Sequence, residues 1–418
     1  MAQSGWYNID NVAKVFMATY NKRETLCMRV CCMLAEDVRP GLLMEALERT
    51  VEELPHFQVR IRKGFFWFYL APTDKKVQVH EEDGRICPLL YSSTHKGVLH
   101  YDVSYYKNRI TLEIFHALSD GTGALEFLNV IVGHYLKLAH PQELADYSTA
   151  LSSTGEERIQ DSFRQYYDRA NSTQPIPGHK PRAYKIPGRL LPYDQMRFME
   201  FHMPADLVRA NAKKYGCTVG AYISALLMMA IAQDMPASKR KYPVAISMPV
   251  NLRGMFGSKT SRNFFNSVTI RHYFTEEATL QEIAREFDTQ LKAALDPEKI
   301  KLQMNNYAKL EEMIYTKMAP LFLKQPVVRF FSIKEHASVT AVVSNLGVIK
   351  PAPELAPYIT GYSGYCSHSG LFTTIFSYGN DLGMGLSSAY ASTEALQHFV
   401  RLLRAEGIPV SVDASEVV

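Results

Sequence analysis

The stretch IFHALSDGTGALEF, from Ile114 to Phe127, joins two different periodicities. Before it, LHYDVSYYKNRITLEIF reads as two strand-like runs parted by a polar KNR turn, which is a hairpin. After it, Leu125, Leu128, Val132, Tyr135 and Leu136 recur at helical spacing. His116 to Gly121 therefore occupy a strand-to-helix turn and spell HxxxDG. By average residue usage these three fixed residues co-occur by chance in roughly one chain in thirty of this length, so the placement carries more weight than the string. A histidine just past a strand end projects into a cleft. Gly121 permits a tight turn, and Asp120 sets the loop by accepting hydrogen bonds or pairing with an arginine. A neutral imidazole with an ordinary pKa near 6.5 suits the deprotonation of a hydroxyl, amine or thiol as it attacks an acyl carbon, worth about 10²–10⁴ in rate. No serine nucleophile is then required. The plain alternative is an N-cap Asp beside a loop histidine in an ordinary connection.

Upstream, LCMRVCCML (Leu26 to Leu34) suits a half-buried strand, and Leu43, Leu47, Val51 and Leu54 mark a helix over Pro40 to Leu54. FQVRIRK alternates with period two and FFWFYL is rich in strand-forming aromatics, so Phe57 to Leu70 is expected to form a hairpin. From Gln142 to Pro192 the chain turns polar and Pro-rich, the composition of a surface linker, which divides an N-terminal lobe (1–180) from a C-terminal lobe (181–418). In the second lobe a strand is expected over Arg197 to Met203, then a short helix from Ala205. TVGAYISALLMMAIAQDM reads as a buried helix and YPVAISMPVNLR as a strand. A strand near Phe265 to Tyr273, a helix over Leu280 to Leu295, two late strands and a closing helix from Thr393 to Arg404 complete the reading.

The 418 residues are 47% apolar and 21% charged, near average globular usage, which excludes disorder, collagen-like repeats and coiled coil. Lys plus Arg at 46 against Asp plus Glu at 42 leaves +4, too little to argue for nucleic acid as the main ligand, so any basic site is local. Cys27, Cys31, Cys32, Cys87, Cys217 and Cys366 show no paired metal spacing and read as buried free thiols in a reducing compartment. The N-terminus lacks a charged start followed by an apolar run, and the most apolar stretch, Val219 to Ala232, is short of the roughly 20 residues of a membrane span. The expectation is a soluble cytoplasmic protein, monomeric by default.

The string IFHALSDGTGALEF resembles the signature of the HxxxDG acyltransferase superfamily that includes chloramphenicol acetyltransferase, condensation domains of peptide synthetases, plant BAHD transferases and alcohol acetyltransferases. The buried TVGAYISALL helix, PVNLRG at 249–254, SRNFFN at 261–266 and SNLG at 344–347 resemble its later blocks in its order. The likeness thus covers nearly the whole chain and is nearest to bacterial proteins of the alcohol acetyltransferase type. It implies an α/β fold, a two-lobe sandwich of mixed sheets and helices with a tunnel between the lobes, entered by the acyl donor at one face and the acceptor at the other.

The resemblance also implies His116 as general base and Asp120 turned from substrate to pair with Arg253, with Gly121 keeping the turn open and Asn263 near the site. Many relatives carry two consecutive histidines, whereas the first position here is Phe115. The catalytic one survives, but a typical condensation domain is disfavoured. Hydroxyls of Ser344, Thr373 and Thr374 are oxyanion candidates by block position. Coenzyme A carries phosphates, so Lys259 with Arg262, or SKRK at Ser238 to Lys241, are candidate lips at the donor face. The expected reaction is direct transfer of an acetyl or other short acyl group from acyl-CoA, as cosubstrate, to a small-molecule hydroxyl. The alternatives are amide formation on an amine, a donor bound to a carrier protein, and a non-catalytic relative. No dinucleotide loop, hydrolase elbow, phosphate loop or metal-ligand grouping is read, and Cys366 with His368 in GYCSHSG is assigned to packing.

Overall fold

The structure, a computed structural model, describes residues 5–92, 99–149, 151–168, 180–312 and 318–415. Its first half opens with strand β1 (Tyr7–Asn8) and helix α1 (Asn11–Thr19), whose first turn is capped where the Asp10 carboxylate accepts from the Ala13 N–H. Strand β2 (Cys27–Leu34), helix α2 (Pro40–Glu53), the hairpin β3 (Val59–Lys63) and β4 (Phe68–Pro72), and strand β5 (His80–Glu81) follow. The hairpin β6 (Tyr101–Tyr106) and β7 (Arg109–Phe115) then leads into α3 (Gly121–Ala139). Both expected hairpins form. Phe65 and Phe66, however, lie exposed in the first turn, outside the strand read from FFWFYL. Two short helices, α4 (Gly155–Ile159) and α5 (Ser162–Gln165), occupy the expected linker, of which residues 150 and 169–179 lie outside the described residues.

The second half runs β8 (Arg197–Pro204), α6 (Ala205–Tyr215), α7 (Val219–Ala232), β9 (Val244–Asn251), α8 (Arg253–Phe256), β10 (Phe265–His272) and α9 (Leu280–Ala294). Helices α10 (Pro297–Glu312) and α11 (Leu321–Ala337) follow, then β11 (Ala341–Val348), β12 (Ile359–Cys366), β13 (Leu371–Tyr378) and β14 (Asp381–Ser388). Helix α12 (Glu394–Ala405) and β15 (Ser411–Ala414) end it. Four late strands stand where two were expected, and the expected closing helix is followed by another strand. Helices α10 and α11 escaped a periodicity reading. In α11 the apolar residues do not confine themselves to one stripe, and Pro326 sits inside it.

Three sheets result, ordered β1-β4-β3, β12-β2-β7-β6-β5 and β10-β9-β11-β13-β14-β8-β15. Helices α2 and α3 close one face of the five-stranded sheet over a core containing Cys32, Leu47, Leu112, Ile114 and Phe127. Cys31 points to the other face, where it accepts from the Thr111 hydroxyl, as the two-residue period requires. Helix α7, buried almost all round, lies among α6, α9 and α12 on the seven-stranded sheet over a second core. Strand β12, from the second half, pairs antiparallel with β2 and also lies against β13 and β14. The chain is thus a mixed α/β structure in two lobes.

Candidate active site

His116 follows the last residue of β7, and its backbone N–H donates to the Leu26 carbonyl at 2.8 Å. Its Nδ1 lies 2.9 Å from the Ser119 carbonyl and 3.1 Å from Asn263 Oδ1. A carbonyl only accepts, so Nδ1 carries the proton of the neutral ring and Nε2 presents a lone pair. The Asn263 amide is oriented by its own bonds: Nδ2 donates to the His116 carbonyl at 3.0 Å and to Asp10 Oδ2 at 3.3 Å, which turns Oδ1 toward the ring. Phe16 of α1 covers the imidazole at 4.5 Å between ring centroids, and Phe265 stands at 5.7 Å. Burial pushes the imidazole below its ordinary value, while the Asp120 charge and the bonds to Ser119 and Asn263 oppose the shift.

Asp120 is the N-cap of α3 and takes four donors. Oδ1 accepts from the Gly123 N–H at 3.1 Å and Arg253 Nη2 at 2.9 Å; Oδ2 accepts from Arg253 Nη1 at 2.8 Å and the Phe264 N–H at 3.0 Å. The guanidinium that grips it so also donates to the Thr260 and Arg262 carbonyls. The loop from β7 is thereby clamped to residues 251–264 of the second half.

Sequence reasoning missed Gly123. A Cβ there would overlap both the Ser261 carbonyl oxygen and Ser119 Oγ, so only glycine lets the two segments meet. Its signal was present, two residues beyond the motif in GTG. Asp10 was missed as well, although IDNVAKVF has the form of a capped helix start. Burial lifts the Asp10 carboxyl to about 6 against the pull of Arg262.

Residues 204–361 match the family described as phthiocerol/phthiodiolone dimycocerosyl transferase C-terminus. No curated protein matches the sequence. Among solved structures, polyketide synthase associated protein 5 from Mycobacterium tuberculosis aligns over 95% of this chain and 97% of its own, at 13% identity and TM-score 0.64. Trichothecene 15-O-acetyltransferase from Fusarium sporotrichioides aligns over 96% and 94% at 12% identity and TM-score 0.61. A variant of the starter condensation domain of rhizomide synthetase, solved with C8-CoA and Leu-SNAC, aligns over 96% and 94% at 9% identity and TM-score 0.60. The mixed α/β two-lobe fold is the one these solved structures share.

Within this fold the remaining expected residues take definite places. Gly121 has no left-handed backbone. Its lack of a side chain instead admits Leu346 of β11, which a Cβ would meet at 2.9 Å. Phe115 is buried in the core, stacked on Tyr91 at 5.7 Å. Arg262 is not at a lip. It is buried, with Nη2 bonded to the Asn8 carbonyl at 2.7 Å and 3.6 Å from Asp10 Oδ2, and Nη1 bonded to the Ile159 carbonyl at 3.2 Å. A guanidinium so enclosed has no edge for a phosphate. Lys259 does face solvent, 3.5 Å from Glu157, and SKRK lies in an exposed turn between α7 and β9.

Ser344 and Thr374 are register partners on adjacent parallel strands, on the face shared with Leu346 and Phe372 that looks toward the first lobe's core. Thr373 points oppositely, among Val343 and Ile375 in the second core. Cys366 ends β12 and is buried, while His368 lies beyond the strand with its Nε2 3.8 Å from Glu24. A cavity of about 310 Å³ runs beside the first turns of α3, between Thr122, Glu126, Asn129 and Tyr147.

Proposed function

We propose that the chain transfers an acetyl or other short acyl group from acyl-CoA directly to a hydroxyl acceptor, with His116 as general base. The single observation that carries this is the Ser119 carbonyl on Nδ1, which leaves the Nε2 lone pair as the proton acceptor in a ring that burial keeps neutral. Nε2 takes the hydroxyl proton as the acceptor oxygen bonds to the thioester carbonyl carbon. The resulting oxyanion is stabilised by the hydroxyls of Ser344 and Thr374. Collapse breaks the carbon–sulfur bond, and the proton on Nε2 passes to the leaving thiolate, so base and acid are the same nitrogen. The developing imidazolium keeps both acceptors on its Nδ1–H. Asp120, occupied by four donors, acts by holding the loop, and Arg253 acts through Asp120. Lys259 is the candidate contact for the donor's phosphates. CoA serves as cosubstrate and no resident cofactor is invoked.

The test is thiol release from a panel of acyl-CoAs with pooled alcohols and amines, for the wild type and His116→Ala. Acceptor-dependent release that falls at least a hundredfold in the variant is expected, at about 10²–10⁴ for a general base. Splitting the pool separates ester from amide formation, the second being the reaction suggested by the likeness to a starter condensation domain. Equal release by both proteins removes His116 from the mechanism.

A further inference from the structure

Among the described residues nineteen large apolar side chains are exposed, and nine of them share one region of the surface. Phe65 and Phe66 stand at the tip of the β3–β4 hairpin, Met318 precedes α11, and six more, including Phe322, Phe330, Phe331 and Ile333, lie along α11. The parts are contiguous. The Leu321 N–H donates to the Phe65 carbonyl at 2.9 Å, Lys324 Nζ donates to the Phe66 carbonyl at 3.1 Å, and Gln325 Nε2 donates to the Met17 carbonyl of α1 at 3.5 Å. Exposed apolar patches of this extent on a folded chain mark an interaction surface.

The charge on this face names the partner. Residues 11–19, 59–70 and 321–337 hold seven of the chain's Lys and Arg, of which Lys14 and Lys324 are buried, and one carboxylate, Glu335, which is paired with Lys180, so the rest of the chain is net negative. Exposed apolar side chains bordered by an excess of cations, on a helix that lies along the body of the protein, have the composition of an interfacial helix on an anionic bilayer. Helix α11, at 17 residues, is shorter than a span, and Leu321 and Lys324 are buried against the protein, so it lies on a surface and does not cross it. We infer that this face docks on an anionic membrane surface. Because Phe16 of α1 also covers His116, the docked face is the outer side of one wall of the candidate active site. The inference stands apart from the transferase reading, since vesicle binding needs no turnover.

Both tryptophans border this region, Trp6 exposed and packed on Tyr69, Trp67 with Lys324 Nζ 4.4 Å above its ring, so intrinsic fluorescence reports docking. The full chain is mixed with phosphatidylcholine vesicles with and without phosphatidylglycerol, at low and high salt, and followed by co-sedimentation and tryptophan emission. Expected are partition onto the anionic vesicles, a blue shift, and release by salt. Arg329→Gln with Lys334→Gln weakens partition about 25-fold, at about fivefold per cation near an anionic surface. Phe330→Ser with Phe331→Ser weakens it at least about tenfold, because two aromatic rings no longer enter the bilayer interface. All four positions are exposed, and unchanged circular dichroism verifies folding. Absence of partition, equal partition onto both vesicles, or indifference to both variants overturns the inference. So does a lipid-free dimer that Phe330→Ser with Phe331→Ser dissociates, which assigns the face to a second copy of the chain.

Discussion

Asp120→Asn is the sharpest perturbation of the clamp beneath His116, because it conserves shape and removes one acceptor. Each carboxylate oxygen of Asp120 receives one N–H and one Arg253 nitrogen, at 2.8 to 3.1 Å. Whichever way an asparagine amide is turned, its NH₂ group faces two donors. One charge-assisted bond and one backbone bond disappear, and Arg253 is left without its counter-charge, the two side chains being 11% and 7% exposed. Solvent cannot replace either bond there. Breaking one side of such a buried pair costs about 3–5 kcal/mol. Hydrogen exchange at the Gly123 and Phe264 amides reads this locally, and protection there is expected to fall about 10²–10³-fold. Arg253→Met alone is expected to cost a similar amount, while the double variant costs less than the sum of the two by at least about 2 kcal/mol, since it removes both charges. A loss below about 1 kcal/mol in Asp120→Asn, or additive single variants, refutes the clamp.

Three further outcomes are expected. The rate needs neutral His116, which burial holds below its ordinary value, so the acid limb of kcat/KM for thiol release is centred below 6.5; an acid limb centred above 7 contradicts this reading. Gly123→Ala destabilises by about 1–3 kcal/mol in thermal or urea unfolding, because its Cβ has no space, whereas Gly254→Ala, with open space around its Cβ, is neutral or stabilising by about 0.5 kcal/mol. Burial, with the nearby Arg60 charge, lowers the His100 pKa to about 4, and its Nε2 accepts from the Ile61 N–H, so stability drops as pH falls from about 6.5 toward 4 and the unfolded chain takes up the proton first. His100→Gln, which keeps an acceptor and a donor but does not titrate, removes about 2 kcal/mol of the stability difference between about pH 7 and 5, read by urea unfolding at each pH.

The HxxxDG turn was legible because it sits where a period of two gives way to a period near 3.6, and that change locates a strand end and a helix start without any family knowledge. Its partners were not legible in that way. No local pattern joins Asp120 to Arg253, 133 residues apart, or His116 to Asn263; the resemblance supplied both, and the structure brings both pairs into contact. Arg262 shows the failure of charge reading. A cation in a polar loop is usually solvated, but Asp10, at the far end of the sequence, supplies a buried counter-ion that no window around position 262 reveals. Helix α11 was unreadable for the opposite reason. Periodicity detects a helix by one apolar face against one core, and this helix carries apolar side chains toward solvent too.

These contacts make the direction of the imidazole a property of how the two halves meet. Ser119 binds the Ser261 carbonyl, Asn263 binds both the His116 carbonyl and Asp10, and Asp120 binds Arg253 and the Phe264 N–H, so residues 251–264 cannot move without releasing the ring. Charge is arranged by the same contacts. Two guanidiniums of the segment that meets the His116 loop are each matched to a carboxylate, Arg253 to Asp120 and Arg262 to Asp10. Unpaired, either would disfavour the imidazolium that proton transfer creates in a buried site; paired, they hold the loop and leave the local charge near zero. The ring then meets only the carbonyl of Ser119 and Oδ1 of Asn263, both acceptors, and both strengthen as Nδ1–H becomes more acidic. A neutral resting base and a stabilised protonated one thus follow from one set of contacts across the two halves.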